Sequence, residues 1–286
     1  MKKILAIYHK NCIDGTTAAA VMLRKFPQVV LFPLSNGYTA EDLDPVFLLI
    51  DNETEIYTVD CGSGVRELLT KGFKVTTLDH HIGVKDSLNL LAKENPNFTY
   101  IFDNDRSGAS LAWQYFFPDE KLPELIKFVE DSDLWKGQFG DETRYVNNYL
   151  WMFTNNPQGV LNIIEGNLDE VKMKGEVISN YTNKEILELI ELPSLNIKIG
   201  EYILPAYNIT THESACGNIL SEKYNQTAVM YTIKGNVVKF SFRSKENQTP
   251  SALDLAKILG GSGHVNAAGA RVILKEFISM LTTNNY

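Results

Sequence analysis

The sequence has few cysteines, and their spacing argues against two classes of protein. Its 286 residues include three cysteines, Cys12, Cys61 and Cys216, and none belongs to a Cys-x-x-Cys pair. Small disulfide-stabilised domains need several paired cysteines, and structural zinc sites commonly use two such motifs. The pattern excludes a disulfide scaffold, makes structural zinc improbable and predicts a protein of the reducing cytoplasm.

Long hydrophobic runs and an excess of positive charge are also missing. Apolar stretches such as 46–50 are far shorter than the roughly 20 residues that cross a bilayer. The apolar run Ile4–Tyr8 is interrupted by His9 and Lys10, which is not typical of an export signal. We therefore expect neither a membrane partner nor export.

The net charge is −8, which argues against a protein that coats long duplex nucleic acid. A small anionic substrate stays compatible with this charge if metal ions or a few Lys and Arg side chains supply positive charge locally.

The length favours two domains, and the first half alternates β-rich with helical runs. Strands that alternate with helices indicate βαβ units. The predicted fold class is α/β, a mostly parallel sheet with flanking helices. The predicted strands are Ile4–Tyr8, Glu55–Val59 and Phe73–Leu78, and the predicted helices are Gly15–Phe26, Val65–Leu69, Leu111–Phe117 and Leu122–Val129.

The pattern changes after Pro193. A long helix is predicted over 169–190, and Lys234-Gly235-Asn236 between two β-rich runs predicts a hairpin. Thr249-Pro250 predicts the start of a helix, with Thr249 as its N-cap. We predict a smaller α+β domain here. The predicted segments are a catalytic domain over 1–155, a helical connector over 156–194 and a substrate-binding domain over 195–286.

Imidazole and carboxylate side chains follow the three predicted strands of the first domain. In chain order they are His9 and Asp14, with the thiol of Cys12 between them, then Asp60, then Asp79, His80 and His81. Ligands bind at the carboxyl ends of parallel strands, so we expect these groups to converge. Mn²⁺ and Mg²⁺ prefer such ligands, and two ions about 3.5–4 Å apart can act in phosphoryl transfer, with Asp60 central enough to bridge them. For any single aspartate the alternative is capping of the next helix.

A glycine cluster marks the second domain. Gly260, Gly261, Ser262 and Gly263 precede His264. Successive backbone amides in such a segment can form an anion-binding nest, although a glycine cluster alone is more often a turn. Arg243 and Ser244 end a predicted strand, and an arginine can hold a phosphate bidentately.

Further motifs are Asp60-Cys61-Gly62, Ser107-Gly108-Ala109 and Glu130-Asp131-Ser132-Asp133. Together with His9 through Asp14-Gly15, Asp79-His80-His81 and the glycine loop with His264, they resemble the motifs of the DHH phosphoesterase superfamily with a DHH-associated C-terminal domain. The resemblance spans nearly the whole chain, and the chain is similar to the branch of short-oligoribonuclease and cyclic-nucleotide phosphodiesterases.

The resemblance implies a role for each matched residue and two Mn²⁺ ions, with Mg²⁺ or Co²⁺ as alternatives. One ion takes His9, Asp60 and the group at Cys12. The other takes Asp14, Asp60, His80 and Asp131, with Asp60 bridging. His81 contacts the scissile phosphate, and Asp79 supports the histidines. Arg243, Gly263 and His264, with Ser244 and Gly261 beside them, bind the end of the substrate.

Two points stay open. The superfamily's first motif has an aspartate where this chain has Cys12, and a thiol is a poor ligand for Mn²⁺. Either Asn11 or water completes that site, or the site is weaker or holds a softer metal. In the fourth motif Asp131 is favoured over Asp133.

The resemblance implies a metal-dependent phosphodiesterase that hydrolyses short oligonucleotides to mononucleotides through a metal-activated water. Its partners are short nucleotide phosphodiesters, and a homodimer is compatible with the sequence. One alternative is a phosphodiesterase for cyclic mono- or dinucleotides. The other is a non-catalytic nucleotide-binding sensor, which the substitution at Cys12 suggests.

Overall fold

A computed structural model describes residues 3–35 and 38–282, and the chain divides into two compact units, Met1–Ser179 and Asn180–Tyr286. The first unit contains a five-stranded sheet with the order β2-β1-β3-β4-β5 and only parallel neighbours. This confirms the predicted α/β fold class. The strands are β1 Ile4–His9, β2 Val30–Leu34, β3 Glu55–Val59, β4 Lys74–Asp79 and β5 Phe98–Phe102.

Helices flank this sheet, and alternate strand residues face opposite sides of it. Leu5 and Ile7 belong to one apolar cluster, whereas Ala6 and Tyr8 belong to the other. Both faces are therefore buried. The helices of this unit are α1 Ile13–Lys25, α2 Asp44–Phe47, α3 Val65–Thr70, α4 Ile82–Glu94, α5 Gly108–Phe116, α6 Glu124–Asp133, α7 Asp141–Leu150 and α8 Pro157–Ile164.

The second unit contains a mixed six-stranded sheet with the order β10-β11-β9-β8-β7-β6. Among the described strands of this second sheet, only β7 and β8 pair in parallel, and the predicted hairpin is the antiparallel pair of β8 and β9. The strands are β6 Ser194–Ile199, β7 Tyr202–Asn208, β8 Ala228–Lys234, β9 Val237–Arg243, β10 Ser262–His264 and β11 Ala267–Ile273. The helices are α10 Glu213–Lys223, α11 Ala252–Ile258 and α12 Leu274–Met280, and a long helix α9, Leu168–Leu189, runs across the boundary of the two units.

Two details differ from the sequence-based expectations. The chain before α11 is not capped by Thr249: the N-cap is Ser251, which exchanges hydrogen bonds with Asp254 in a capping box. Strand β2 contains Pro33 and was not predicted, and β2 tolerates this proline because it lies at the edge of the sheet. Among the described residues, no helix is long and apolar enough to span a bilayer.

Candidate metal centre

The polar groups that follow β1, β3 and β4 lie together because these three strands are neighbours in the sheet. Asp60 is at the centre. Its Oδ2 atom lies 3.3 Å from Nδ1 of His9, and its Oδ1 atom lies 3.1 Å from Nε2 of His80. The Asp60 side chain is only 1% exposed, so a buried carboxylate stands between two imidazoles.

The backbone at Asp60 allows a close approach of helix α5. Asp60 adopts φ +55°, a left-handed conformation that aspartate tolerates better than most residues, and its amide donates to the carbonyl of Leu78 at 2.9 Å. A Cβ atom at Gly108 would lie 2.6 Å from Cβ of Asp60. Glycine at this position is what lets the start of α5 reach the cluster.

Asp14 is held by the N-terminus of α5. Its Oδ2 atom accepts a hydrogen bond from the amide of Gly108 at 2.6 Å, and Oδ1 accepts one from the amide of Ala109 at 3.0 Å. Backbone amides at a helix start favour a carboxylate. The same Oδ2 atom lies 3.8 Å from Nε2 of His80, so Asp14 and Asp60 approach one imidazole together.

Cys12 is the N-cap of α1, and its Sγ atom accepts from the amide of Gly15 at 3.5 Å. Together with His9 and Asp60 it offers ligand atoms that all lie within 4.8 Å of one another. Burial, followed by the charges of Asp60 and Asp14, raises the pKa of the Cys12 thiol far above its usual range. Without a metal this thiol stays neutral.

In the fourth motif, the aspartate near the cluster is Asp133 rather than the favoured Asp131. Oδ2 of Asp133 lies 3.4 Å from Nε2 of His80. Asp131 instead uses both oxygens elsewhere: Oδ1 accepts from the amide of Gln138 at 2.6 Å, and Oδ2 accepts from the hydroxyl of Thr143. Residues two apart on a helix point about 200° apart, so one of the two faces the cluster and the other does not.

Asp79 fixes the two histidines of the third motif. Its Oδ1 atom accepts hydrogen bonds from the amides of His80 and His81, at 2.7 and 3.1 Å, and lies 2.7 Å from Nδ1 of His81. The rings of His80 and His81 have centroids 4.5 Å apart. Asp79 is fully buried, so it acts on the cluster through the histidines.

The cluster concentrates negative charge, and the pKa values reflect this. Burial raises the pKa of Asp60, but hydrogen bonds to His80 and His9 and the charges of the histidines lower it well below its usual range. Burial lowers the pKa of His80, but Asp60, Asp14 and Asp133 outweigh burial and raise it to about 9. Burial and the charge of Asp60 raise the pKa values of Asp14 and Asp133.

The donor set suits hard divalent ions. Carboxylate oxygens and imidazole nitrogens, with the Cys12 sulfur in one case, form three overlapping groups. The carboxylates of Asp14, Asp60 and Asp133 repel one another unless cations lie between them. Oδ2 of Asp133 is buried and accepts no hydrogen bond from any residue in 3–35 or 38–282, although it lies near His80. Such an oxygen is an available ligand.

Beside the cluster is a cavity of about 320 Å³ in the same unit. Residues of the cluster form part of its lining. The other lining residues come mainly from α6, from the segment after it and from α7, and most had no predicted role. They are Asn11, Ile13, Val129, Ser132, Trp135, Asn147 and Trp151.

The predicted substrate residues of the second unit lie on and beside strands β9 and β10. His264 pairs with Ala267, and Ala267 pairs with Arg243 on its other side, so His264 and Arg243 stand in one row of the sheet. Arg243 Nη2 donates to the hydroxyl of Ser214 at 2.7 Å.

The glycine segment is not a loop throughout, because Ser262–His264 forms strand β10. A Cβ atom at Gly261 would lie 2.1 Å from the carbonyl oxygen of Gly269, so Gly261 is needed for close packing. Ser244 is buried, and its hydroxyl accepts from the amide of Ala252 at 3.0 Å. Gly261 and Ser244 therefore shape the segment.

No family model matches the chain. One similar curated protein is the uncharacterized protein R106 of Acanthamoeba polyphaga mimivirus, which is 22% identical over 300 residues. The alignment covers 93% of this chain and 66% of the viral protein, just under two thirds of its length.

Two solved structures have the same fold. The pGpG-specific phosphodiesterase PggH from Vibrio cholerae aligns with a TM-score of 0.55 and 15% identity over 96% of this chain and 95% of its own. RecJ from Thermus thermophilus, in complex with Mn²⁺, aligns with a TM-score of 0.54 and 15% identity. That alignment covers 97% of this chain and 51% of RecJ, so the chain spans about half of the RecJ structure. At these identities the likeness establishes a shared fold.

Proposed function

We propose that the chain is a DHH-superfamily phosphodiesterase that depends on divalent metal ions and hydrolyses short oligonucleotides to mononucleotides. The observation that carries this proposal is the position of Asp60, whose two oxygens lie 3.3 and 3.1 Å from imidazole nitrogens of His9 and His80. Asp14 and Asp133 complete a donor set from separate parts of the chain, which capping of individual helices does not explain.

Two ions would share Asp60. One would take His9, Asp60 and the side of Cys12, and the other Asp14, Asp60, His80 and Asp133, which replaces Asp131 in the ligand set. When bound, divalent ions would lower the pKa of water and place positive charge near the phosphate oxygens. We propose Mn²⁺, with Mg²⁺ or Co²⁺ as alternatives.

The chain's own residues position the phosphate and balance its charge. The hydrogen bond to Asp79 is the largest cause of the raised pKa of His81. A protonated His81, with its ring oriented by Asp79, can donate to a phosphate oxygen as charge develops there. Helix α5 keeps Asp14 in place through two amides, so the carboxylate does not have to reorganise when substrate binds.

Short nucleotides are the substrates we propose. The net charge of −8 disfavours long nucleic acid, because no overall positive field attracts it. PggH, with the same fold, is described as a pGpG-specific phosphodiesterase, and this supports a short phosphodiester. In the second unit Arg243, Gly263 and His264 would bind the substrate's end, with Gly261 and Ser244 as supporting residues.

Two other functions are alternatives. Hydrolysis of a cyclic mono- or dinucleotide would use the same cluster. A non-catalytic nucleotide sensor would follow if the neutral thiol of Cys12 leaves the first metal site too weak, since its Sγ atom stands beside His9 and Asp60.

The test is hydrolysis by protein that a chelator has stripped of metal and that is then given Mn²⁺. We expect it to cleave a 5′-phosphorylated RNA dinucleotide, and we expect Asp60→Asn to reduce kcat by a factor of about 10³ or more. Asp86→Asn, an exposed aspartate of α4, is the matched control and should retain full activity. No turnover of linear di- to pentanucleotides, cyclic nucleotides or nucleoside bisphosphates rejects the proposal. Stoichiometric binding without turnover indicates the sensor.

A further inference from the structure

The cavity beside the metal centre has a lining that metal binding does not explain. His9, Cys12, Asp14 and Asp133 line one part, and two tryptophans are among the remaining residues. About 320 Å³ lies at the lower end of the size range of small-molecule pockets. Trp135 and Trp151 are 92% and 57% exposed.

The backbone at Trp135 is fixed by the segment that surrounds it. Trp135 follows Asp133 by two residues and adopts φ +53°, a conformation that bulky side chains rarely adopt. Its amide donates to the carbonyl of Ser132, and the amide of Lys136 donates to the carbonyl of Asp131 at 3.0 Å. The Lys136 ammonium also binds Glu130 at 2.7 Å and the carbonyl of Asp105 at 2.9 Å.

Hydrogen bonds that involve side chains also fix part of the cavity lining. Asn11 and Asn155 form a reciprocal pair, in which each side-chain oxygen accepts from the other residue at 2.9 or 2.6 Å. The side-chain amide (Nδ2) of Asn147 donates to the hydroxyl of Ser132. These hydrogen bonds fix the polar part of the lining before any ligand binds, which lowers the entropy cost of binding there.

We propose that Trp135 stacks on a nucleobase of the substrate, next to the phosphate that the metal centre binds. This inference rests on the proposed function. Three observations support it: the ring is almost fully exposed, its backbone is held in a strained conformation, and it lines the same cavity as the proposed ligands. Stacking on an aromatic ring tolerates any base, so Trp135 selects for the presence of a base and not for its identity.

The test is a double-mutant cycle between Trp135 and one base, measured as binding so that it does not depend on turnover. The probe is a 5′-phosphorylated diadenylate with a hydrolysis-resistant methylenephosphonate linkage. It is titrated into the protein in the presence of Mn²⁺, and binding is measured by calorimetry. Two analogues each lack one base. Trp135→Gly removes the ring and suits the left-handed backbone, whereas Trp135→Phe keeps an aromatic ring. The control is Leu48→Ala, which removes an 88% exposed side chain outside the lining of this cavity.

We expect Trp135→Gly to weaken binding of the intact dinucleotide by roughly 5- to 150-fold, the range seen for one stacked base. It should weaken binding of one of the base-less analogues less than twofold. Trp135→Phe should keep most of the affinity, and Leu48→Ala all of it. Three results would overturn the inference. Trp135→Gly lowers the affinity for the intact and both base-less ligands equally, it lowers none of these affinities, or the wild type shows no measurable binding.

The two proposals fail separately. If the wild type binds the probe with the expected coupling to Trp135 but does not cleave the ordinary dinucleotide, the nucleobase site stands and hydrolysis is wrong. If the wild type cleaves the dinucleotide and the cycle shows no coupling, hydrolysis stands and the assignment of Trp135 is wrong.

Discussion

At the scale of single residues, the two aspartates at the end of α6 have different tasks. Asp133 lies beside His80, whereas Asp131 accepts hydrogen bonds from Gln138 and Thr143 and so fixes the chain that follows α6. The sequence could not distinguish them, because both lie in the last turn of the same helix. The choice depends on the rotation of α6 about its axis, which tertiary packing decides.

This difference can be measured with Asp133→Asn and Asp131→Asn. Asp133→Asn should weaken Mn²⁺ binding more than tenfold, because it removes a ligand charge, and change stability little. Asp131→Asn should lower the free energy of unfolding by about 1–3 kcal/mol, because it weakens hydrogen bonds to a buried carboxylate. Calorimetry and urea unfolding provide the two readouts. A larger loss of Mn²⁺ affinity in Asp131→Asn would restore Asp131 as the ligand.

The histidines make metal binding depend on pH. In the metal-free protein the pKa of His80 is about 9, so this imidazole carries a proton at neutral pH. A metal ion has to displace that proton, and metal affinity therefore rises with pH until the pKa is reached. We expect the Mn²⁺ association constant to increase by about tenfold per unit between pH 6 and pH 8. An association constant that is flat over this range would contradict the assignment of His80 as a ligand.

At the scale of helices and strands, the approach of α5 to Asp60 and Asp14 organises the cluster. The strand ends could be predicted from the sequence, because parallel strands place their carboxyl ends at one edge of a sheet. The approach of α5 could not, since it depends on the lack of a side chain at Gly108 and on the left-handed backbone of Asp60. From the sequence alone, Ser107-Gly108-Ala109 is a motif with no assigned physical role.

Gly108→Ala tests this approach. The new Cβ atom would meet Cβ of Asp60 at 2.6 Å, and backbone as well as side chain would have to move. We expect a loss of about 1–3 kcal/mol in the free energy of unfolding, and weaker Mn²⁺ binding because Asp14 loses its amide donors. Gly83→Ala in α4 is the matched control, since its Cβ would meet nothing within 4 Å. That variant should unfold at an unchanged or slightly higher urea concentration.

At the scale of the whole molecule, an acidic chain carries a buried group of carboxylates that is only partly balanced by histidines. The α/β class and the second, smaller α+β domain could be predicted, since both depend on patterns of apolar residues and turns within short segments. Strand β2 could not, because an internal proline disguises an edge strand. The cavity could not be predicted either, because Asn11, Asn147 and Trp151, which line it, are far apart in the sequence.

Metal should stabilise the folded chain as a consequence of this charge. A ligand that binds only the folded state at 100 times its dissociation constant adds about 2.7 kcal/mol of stability. We expect about 1 mM Mn²⁺ to raise the Tm of chelator-treated protein by several degrees, and Asp60→Asn to abolish the increase. Asp86→Asn should behave like the wild type. An equal increase in Asp60→Asn would mean that Mn²⁺ binds elsewhere.

We propose above all that side chains from β1 to α6 hold divalent ions around Asp60. The most direct test is a crystal structure of the Mn²⁺-treated protein, with anomalous differences measured near the manganese absorption edge. We predict two peaks that share Asp60, one in contact with His9 and the other with Asp14, His80 and Asp133. The contrary result is ordered density for these side chains with no anomalous peak between them, at a Mn²⁺ concentration that saturates binding in solution. It would mean that these side chains do not hold divalent ions.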